Sequence, residues 1–331
     1  MPSPSKGESW PYCLSYSTDG SMFVGGLWEK LYIWGQPHTN DVHSYSNVAK
    51  FYYSTNGDCL CYVNNKEGKL HYIDTKSFKE VPYSEVSNIF KWSYNDIANI
   101  TGNVPNWGDI SNELGNIKHV LFTNDGKYAY VVYENDDYLL FISKVLVTNS
   151  GFKLLKTKDI GIGISCLNDI RFSAKEEYIL LSLGVLSSDG VASIVMNAKN
   201  LEIISKFEDF NSGVLMSCFI PHTSNVVSCS YDMSIKVWDY LSGKLVKPLY
   251  LHRDFVMNVS SCMNGKYFAS SGQDGLVTIW ETNSWKPIEK IRFGAYMCPT
   301  VLSPNGRTIA ILNGERLLIK EIKSIDELGS R

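Results

Sequence analysis

Short apolar runs separated by polar turns dominate the pattern of this chain. In five places an apolar run leads into a turn carrying Asn-Gly or Asp-Gly, and a second apolar run follows. These segments are SYSTDGSMFVGG (15–26), YYSTNGDCLCYV (52–63), LFTNDGKYAYVV (121–132), SCMNGKYFASSG (261–272) and VLSPNGRTIAIL (301–312). Glycine accepts a positive φ, and Asn or Asp tolerates left-handed geometry, so each segment predicts a β-hairpin. Two further copies, at 170–183 and 218–230, lack the glycine.

The hairpins recur at a nearly constant spacing. Their last turn residues stand at 20, 57, 126, 177, 225, 265 and 306, so most steps are close to forty residues. A third strand is predicted after each hairpin and a fourth in most units; in the third unit these are Tyr138–Ser143 and Lys153–Lys158. Four strands in about 40–45 residues are typical of a propeller blade. The sequence therefore predicts an all-β, seven-bladed β-propeller of four-stranded antiparallel blades. The predicted blades are about 10–47, 48–85, 117–160, 164–208, 214–251, 256–293 and 296–324.

Two units resemble the WD40-repeat family. The segments SYDMSIKVWDYLSGKLV (230–246) and SGQDGLVTIWETNSWKPI (271–288) share a turn Asp, an apolar third strand and a terminal Trp-Asp or Trp-Glu. The resemblance implies a buried, hydrogen-bonded structural tetrad of His252, Ser270, Asp274 and Trp280 in the sixth unit. The fifth unit retains a partial set, which consists of Ser228, Asp232 and Trp238 without a histidine. The remaining units are expected to hold together by apolar packing alone.

The predicted domain organisation is one WD40-like propeller over residues 1–324, followed by a short C-terminal tail at 325–331. The last unit has no evident fourth strand, and we expect the N-terminal segment Ser5–Ser9 to supply it and close the ring. Residues 86–116 interrupt the period with a stretch that contains two tryptophans. This insertion is open to three interpretations, namely a binding loop, a neutral insertion and a degenerate eighth blade.

The resemblance also implies where partners would bind. In the family, the turns between second and third strands lie on the top face, together with the loops that lead into each first strand. Aromatic and arginine side chains dominate interface energies. The candidate partner-binding residues on that face are Trp10, Trp28, Trp92, Trp107, Tyr231, Arg253, Phe255, Tyr296 and Arg316.

Composition and charge narrow the function classes. The formal net charge is −3, from 31 basic and 34 acidic residues, which gives no overall footprint for nucleic-acid binding. The N-terminus MPSPSKGESW lacks the pattern of a signal peptide, and the apolar stretch 138–147 is too short to span a bilayer. The eight cysteines form no CxxC pair, so we expect reduced, buried thiols in an intracellular, cytoplasmic or nuclear protein.

No catalytic motif is present. The sequence contains no P-loop, GxSxG, HExxH or DxDxDG, and its six histidines lack metal-ligand spacing. We therefore expect no enzyme activity, no metal and no cofactor. The predicted function is a non-enzymatic scaffold that binds proteins or peptides, as a subunit of a larger complex, without direct nucleic-acid binding or membrane insertion. The alternatives are a propeller hydrolase or lyase acting at the central channel, and a reader of modified peptides that would need an aromatic cage beside an acid.

Overall fold

The structure is a computed structural model. It describes residues 13–16, 23–27, 30–34, 42–46, 48–53, 59–64, 69–74, 77–81, 116–123, 127–135, 137–148, 151–163, 167–184, 190–293, 299–313 and 316–322. Every regular element in these ranges is a β-strand. In the part of the chain so described, no helix is long and apolar enough to cross a membrane.

The first three sheets are four-stranded antiparallel meanders, in which each strand pairs with its neighbour along the chain. Sheet one contains β1 (Cys13–Tyr16), β2 (Phe23–Leu27), β3 (Lys30–Trp34) and β4 (Val42–Ser46). Sheet two contains β5 (Val48–Tyr53), β6 (Cys59–Asn64), β7 (Lys69–Asp74) and β8 (Glu80–Val81). Sheet three contains β9 (Asn116–Phe122), β10 (Tyr128–Glu134), β11 (Leu139–Thr148) and β12 (Gly151–Gly163).

The later sheets repeat this plan, and the last has three strands in the described residues. Sheet four contains β13 (Leu167–Phe172), β14 (Tyr178–Leu183), β15 (Ser193–Asn197) and β16 (Ile203–Phe207). Sheet five contains β17 (Val214–Phe219), β18 (Asn225–Ser230), β19 (Ile235–Asp239) and β20 (Lys244–Leu249). Sheet six contains β21 (Val256–Ser261), β22 (Tyr267–Gly272), β23 (Leu276–Glu281) and β24 (Pro287–Arg292). Sheet seven contains β25 (Thr300–Leu302), β26 (Thr308–Asn313) and β27 (Arg316–Glu321).

The predicted all-β fold of antiparallel sheets is confirmed, with two differences in strand extent. Sheet one has a fourth strand, β4, that the sequence pattern did not predict. In the hairpin β11–β12, β11 extends further toward the turn than predicted, and β12 is longer than predicted at both ends. Its extension is explained by burial, because Val145, Ile160 and Ile162 are almost fully covered, and apolar residues in register favour continued pairing.

The hairpin turns contain a residue with left-handed backbone geometry, both where glycine is present and where it is absent. Gly265 and Gly306 adopt φ of 68° and 70° in their turns. In the two hairpins without glycine, Glu176 and His222 take the left-handed conformation instead, with φ of 57° and 64°. A non-glycine residue there carries a strain of about 1–2 kcal/mol. Long-range packing of the flanking strands therefore overrides the missing local signal.

Consecutive sheets from three to seven pack face to face. Four apolar clusters fill the spaces between sheets three and four, four and five, five and six, and six and seven. A single four-stranded sheet cannot hide its faces from water, whereas stacking of neighbouring sheets buries them. The free thiols of Cys218, Cys229 and Cys262 are buried, and burial raises the pKa of Cys218 to about 12.

The first strands of successive sheets form the centre of this arrangement. Strand β9 contacts β13, β13 contacts β17, β17 contacts β21, and β21 contacts β25. Strand β25 of the last sheet also contacts β1 of the first, which brings the two ends of the array together. These contacts agree with a propeller, while the blade count of seven stays a prediction. Ser5–Ser9, and the insertion except for its last residue, Asn116 in β9, lie outside the described residues.

In such meanders the strands alternate in direction, so the turns separate into two ends. We call the end with the second-to-third turns and the loops between sheets the top end. The end that carries the first-to-second and third-to-fourth turns is the lower end.

Candidate functional site

In sheet six, the structure brings the four residues of the sequence-derived tetrad together. The Nε2 atom of His252 lies 2.9 Å from Ser270 Oγ, and Trp280 Nε1 donates to the same oxygen at 2.9 Å. The other ring nitrogen of His252, Nδ1, lies 3.1 Å from Asp274 Oδ1. The chain of contacts therefore runs from the top-end turn, through the loop before β21, to the middle of β22 and β23.

Asp274 also fixes the backbone around the tetrad. Its carboxylate accepts hydrogen bonds from the amides of Arg253, at 2.9 Å, and Leu276, at 3.0 Å. Burial would raise the pKa of Asp274, but these amides and His252 lower it below its ordinary value, so the carboxylate stays ionised. Gly272 is required beside this group, since a Cβ there would lie 2.7 Å from His252 Nδ1.

Sheet five uses the same turn but replaces the histidine. Strands β17 and β21 begin at Val214 and Val256, so equivalent residues are 42 apart (256 − 214). Asp232 accepts from the amides of Asn211, at 3.0 Å, and Ser234, at 2.9 Å. Phe210 occupies the position equivalent to His252, and its ring contacts Trp238 at 5.9 Å between centroids. Among the described residues, buried Trp238 Nε1 has no hydrogen-bond partner.

Ser228, the third residue of the sheet-five set, belongs to a network of buried serines. Ser217 Oγ donates to Ser228 Oγ at 2.9 Å, and Ser182 of sheet four donates to Ser217 at 2.9 Å. Ser193 lies 3.4 Å from the same hydroxyl. The expectation that the units other than five and six hold together by apolar packing alone is therefore wrong for sheet four, because its Ser182 hydroxyl hydrogen-bonds to Ser217 of sheet five.

Three of the candidate partner-binding residues lie together at the top end of sheets five and six. The rings of Tyr231 and Phe255 meet edge to face, with centroids 5.2 Å apart. Arg253 lies in the loop before β21, two residues from Phe255, and its side chain is exposed. Its backbone amide donates a hydrogen bond to Asp274. The Phe255 carbonyl accepts a hydrogen bond from the Gln273 amide at 2.8 Å. The turn that carries Asp274 therefore fixes the position of Phe255.

Two residues of this surface were missed by sequence reasoning. Tyr250 follows β20 and is 75% exposed, while Met233, in the turn after β18, is 43% exposed. Both belong to the top end by chain position. We call Tyr231, Met233, Tyr250, Arg253 and Phe255 the top-end cluster. In the sequence, Tyr250 and Met233 are visible only as large apolar residues in turn or loop segments. That pattern alone does not distinguish exposed from buried positions.

The other candidate residues remain predictions. Trp10, Trp28, Trp92, Trp107 and Tyr296 lie outside the described residues. Arg316 is the first residue of β27, which is consistent with a place beside the second-to-third turn of sheet seven.

Comparison with known proteins identifies the same repeats in sheets five and six. The family model described as WD domain, G-beta repeat, matches residues 202–239 and 243–281. The chain contains two WD repeats. The matched segments contain the Asp-bearing turns and the tryptophans of sheets five and six, so the WD-repeat set of hydrogen bonds lies where the family pattern is strongest.

Two relatives are similar over part of this WD-repeat chain. Cross-pathway control WD-repeat protein 2 of Flammulina velutipes is 32% identical over 120 residues, which are 34% of this chain and 38% of that protein. Small ribosomal subunit protein RACK1y of Oryza sativa subsp. japonica is 30% identical over 104 residues, 31% of each chain. The WD-repeat chain thus spans about a third of the length of the curated relatives it matches.

The first strands of sheets four to seven carry a chain of polar contacts. Arg171 on β13 pairs with Asp169 at 2.6 Å and reaches Met216 Sδ on β17 at 2.9 Å. Asn258 on β21 donates to the same sulfur at 3.2 Å and accepts from Thr300 on β25 at 3.0 Å. These contacts link four consecutive sheets, and the single carboxylate among them is already paired with a guanidinium.

A surface pocket of about 360 Å³ lies between the lower-end turns of sheets four and five. Its aromatic lining consists of Tyr178, Phe219 and Tyr240, with Glu177 beside them. The ring of Tyr240 contacts Tyr178 at 5.0 Å and Phe219 at 5.3 Å between centroids. Because Phe219 and Tyr240 are buried and the rings pack on each other, the pocket lacks the open ring faces that a cage for a cation needs.

The tetrad of the WD-repeat chain predicts a pH dependence of stability. Burial lowers the pKa of His252 below its ordinary value, and Asp274 only partly opposes this. The unfolded chain therefore binds a proton more readily, and stability is lost as the pH falls through about 6.5. In His252→Phe, we expect the free energy of unfolding to depend less on pH between roughly 7.5 and 5, by up to about 1.4 kcal/mol per pH unit. Urea unfolding at several pH values measures this slope.

The control is His222→Asn, which removes an exposed histidine whose left-handed backbone asparagine also adopts. This variant is expected to keep the slope of the wild type. Asp274 contributes to the pH dependence only at lower pH, below about 4. Equal slopes for the wild type and His252→Phe would show that the tetrad does not hold His252 neutral.

Proposed function

We propose that this chain is a non-enzymatic scaffold that binds partner proteins or peptides through the top end of its sheets. The observation that carries the proposal is the top-end cluster, which combines two exposed apolar side chains, an aromatic pair and an exposed arginine. Such residue types supply most of the binding energy in protein interfaces. The WD-repeat family and the relatives support a scaffold in general, and the choice of this surface is the proposal.

The cluster is preorganised, which favours tight binding. The turns of sheets five and six are fixed by the carboxylates of Asp232 and Asp274, each of which accepts from an amide of the preceding loop. A surface held in its bound conformation loses less entropy when a partner binds. Assembly into a larger complex is part of the proposal, since one relative is named a small ribosomal subunit protein. The free, buried thiols of Cys218, Cys229 and Cys262 support an intracellular location of the protein.

The enzyme alternative has less support in the described residues. A reaction centre at the middle of the ring requires carboxylates or histidines that converge on a common point. The innermost strands present instead Met216, Asn258 and Thr300 in mutual contact, and Asp169 is held by Arg171. These groups support a structural role for the centre of the fold.

The test is the double variant Tyr250→Ala/Arg253→Ala. Both side chains are exposed, so the fold is expected to persist, whereas affinity for a top-end partner is expected to fall roughly tenfold or more. Proteins that co-purify with the wild-type chain are quantified beside those retained by the variant, and the dissociation constant of the strongest partner is then measured.

A matched double variant, Leu241→Ala/Met263→Ala, removes exposed apolar side chains from lower-end turns. It is expected to retain the partners of the wild type. If the top-end variant keeps every partner at unchanged affinity, or if the lower-end variant loses the same ones, the top end is not the binding surface.

A further inference from the structure

Four lysines converge near the lower end of sheets three and four. Lys144 on β11 and Lys156 on β12 are directly paired across the two strands. Lys127 precedes β10 in the lower-end turn of the same sheet, and Lys199 lies in the turn between β15 and β16 of the next sheet. Together these residues form the lysine cluster. It lies on a different end of the sheets from the top-end cluster.

An aromatic ring holds two of these lysines close together. Lys144 Nζ lies 4.5 Å from the centroid of the Tyr128 ring, and Lys127 Nζ lies 5.4 Å from the same centroid. Lys144 Nζ also donates to the Ala198 carbonyl at 3.2 Å, next to Lys199 in the chain. The face of an aromatic ring attracts a cation but carries no net charge, so contact with Tyr128 does not neutralise Lys144.

The charges of the cluster repel one another. Residues directly opposite on antiparallel strands have Cβ atoms about 5 Å apart, and like charges in that position are destabilising. The pKa of Lys144 is lowered, first by burial and then by the charge of Lys199. A neighbouring anion would relieve this repulsion and stabilise the protonated form of Lys144.

Among the described residues, acidic groups near Lys144, Lys156 and Lys199 make their hydrogen bonds elsewhere. Asp159 on β12 accepts from the Gly161 amide at 2.7 Å, and Glu202 accepts from the Asn200 side chain at 2.7 Å. In the described ranges, no carboxylate forms an ion pair with Lys144, Lys156 or Lys199. Lys156 and Lys199 are exposed, so their ammonium groups are open to a partner.

We propose that the lysine cluster is a second docking site, and that it binds an acidic segment of a partner protein through two or more carboxylates. Charge complementarity selects the occupant. A short acidic segment feels mainly the local positive charge, since exposed charges beyond about 10 Å are screened by salt. A long polyanion such as RNA extends over the rest of a chain whose net charge is −3, which opposes its binding.

The test uses a fluorescent peptide of alternating glutamate and serine, titrated with the intact protein in low salt and followed by anisotropy. The variant Lys156→Glu/Lys199→Glu reverses two exposed charges and leaves the contacts of Tyr128 in place. We expect it to bind the peptide about tenfold more weakly, because each exposed ion pair changes affinity up to about fivefold and both contacts become repulsive. The peptide is also expected to raise the melting temperature of the wild type alone.

The control variant is Lys244→Glu/Lys247→Glu, which makes the same change of charge on β20, the outermost strand of sheet five. It is expected to bind the peptide as the wild type does, and circular dichroism verifies that both variants are folded. Equal losses in the two variants would overturn the proposal, and so would equal binding of a peptide with glutamine in place of glutamate. Binding of a single-stranded RNA through the cluster, without binding of the glutamate peptide, would overturn it as well.

Discussion

Replacement of Ser270 with alanine is expected to lower the free energy of unfolding by about 3 kcal/mol. Ser270 Oγ is the common partner of His252 Nε2 and Trp280 Nε1, at 2.9 Å from each. Its removal leaves both ring nitrogens buried and unpaired, and an unmet buried polar group costs about 1–3 kcal/mol. Chemical denaturation with fluorescence detection measures the loss.

Sheet five provides the matched control, because Ser228 occupies the equivalent position. Ser228 accepts a hydrogen bond from Ser217 but none from Trp238, whose Nε1 has no partner among the described residues. The variant Ser228→Ala therefore breaks one hydrogen bond, with an expected cost of about 1 kcal/mol. If the two variants were destabilised equally, the shared acceptor of sheet six would contribute no more than an ordinary buried hydroxyl.

Truncation of Phe207 to alanine is expected to cost about 4 kcal/mol, the largest effect of any substitution considered for this molecule. Phe207 is fully buried on β16, and its ring stacks on Trp238 of the next sheet at 4.8 Å, with 9° between the ring planes. The substitution removes the stack and leaves a cavity between sheets four and five. Thermal and urea unfolding report the change.

Ile204 lies on the same strand and is 37% exposed, so it serves as the control. Ile204→Ala also truncates an apolar side chain, although a smaller one, at a position that faces water, and its expected cost is within about 0.5 kcal/mol. A small loss for Phe207→Ala would mean that the packing between sheets does not carry the stability of this fold.

The repeating strands were predictable because their signals are local. An Asn-Gly or Asp-Gly turn and the alternation of apolar residues act over a few neighbours, and they recur in most units. The tetrad was predictable from the resemblance in sheet six, where His252, Ser270, Asp274 and Trp280 occupy the family positions. In sheet five, the absence of a histidine was visible, but the replacement by Phe210, with its ring against Trp238, was not.

The lysine cluster illustrates what sequence reasoning missed. Its members lie on two strands and a turn of one sheet and on a turn of the next, at separations of 12 to 72 residues (156 − 144 and 199 − 127). No local pattern links them, and the net charge of −3 hides a positive site. The exposure of Tyr250 and Met233 was equally invisible, because it depends on what the neighbouring sheets leave uncovered.

By itself, the sequence determined the all-β architecture and the antiparallel units of the chain, because hairpin turns and apolar periodicity depend on neighbouring residues. It also showed the resemblance of two units to the WD40-repeat family. The tertiary structure alone decided which polar groups share a partner, such as Ser270 in sheet six and the serines between sheets four and five. It also decided which charges and apolar side chains face outwards together. The physical reason is that hydrogen bonding, burial and electrostatic repulsion depend on distances between residues that are far apart in the chain.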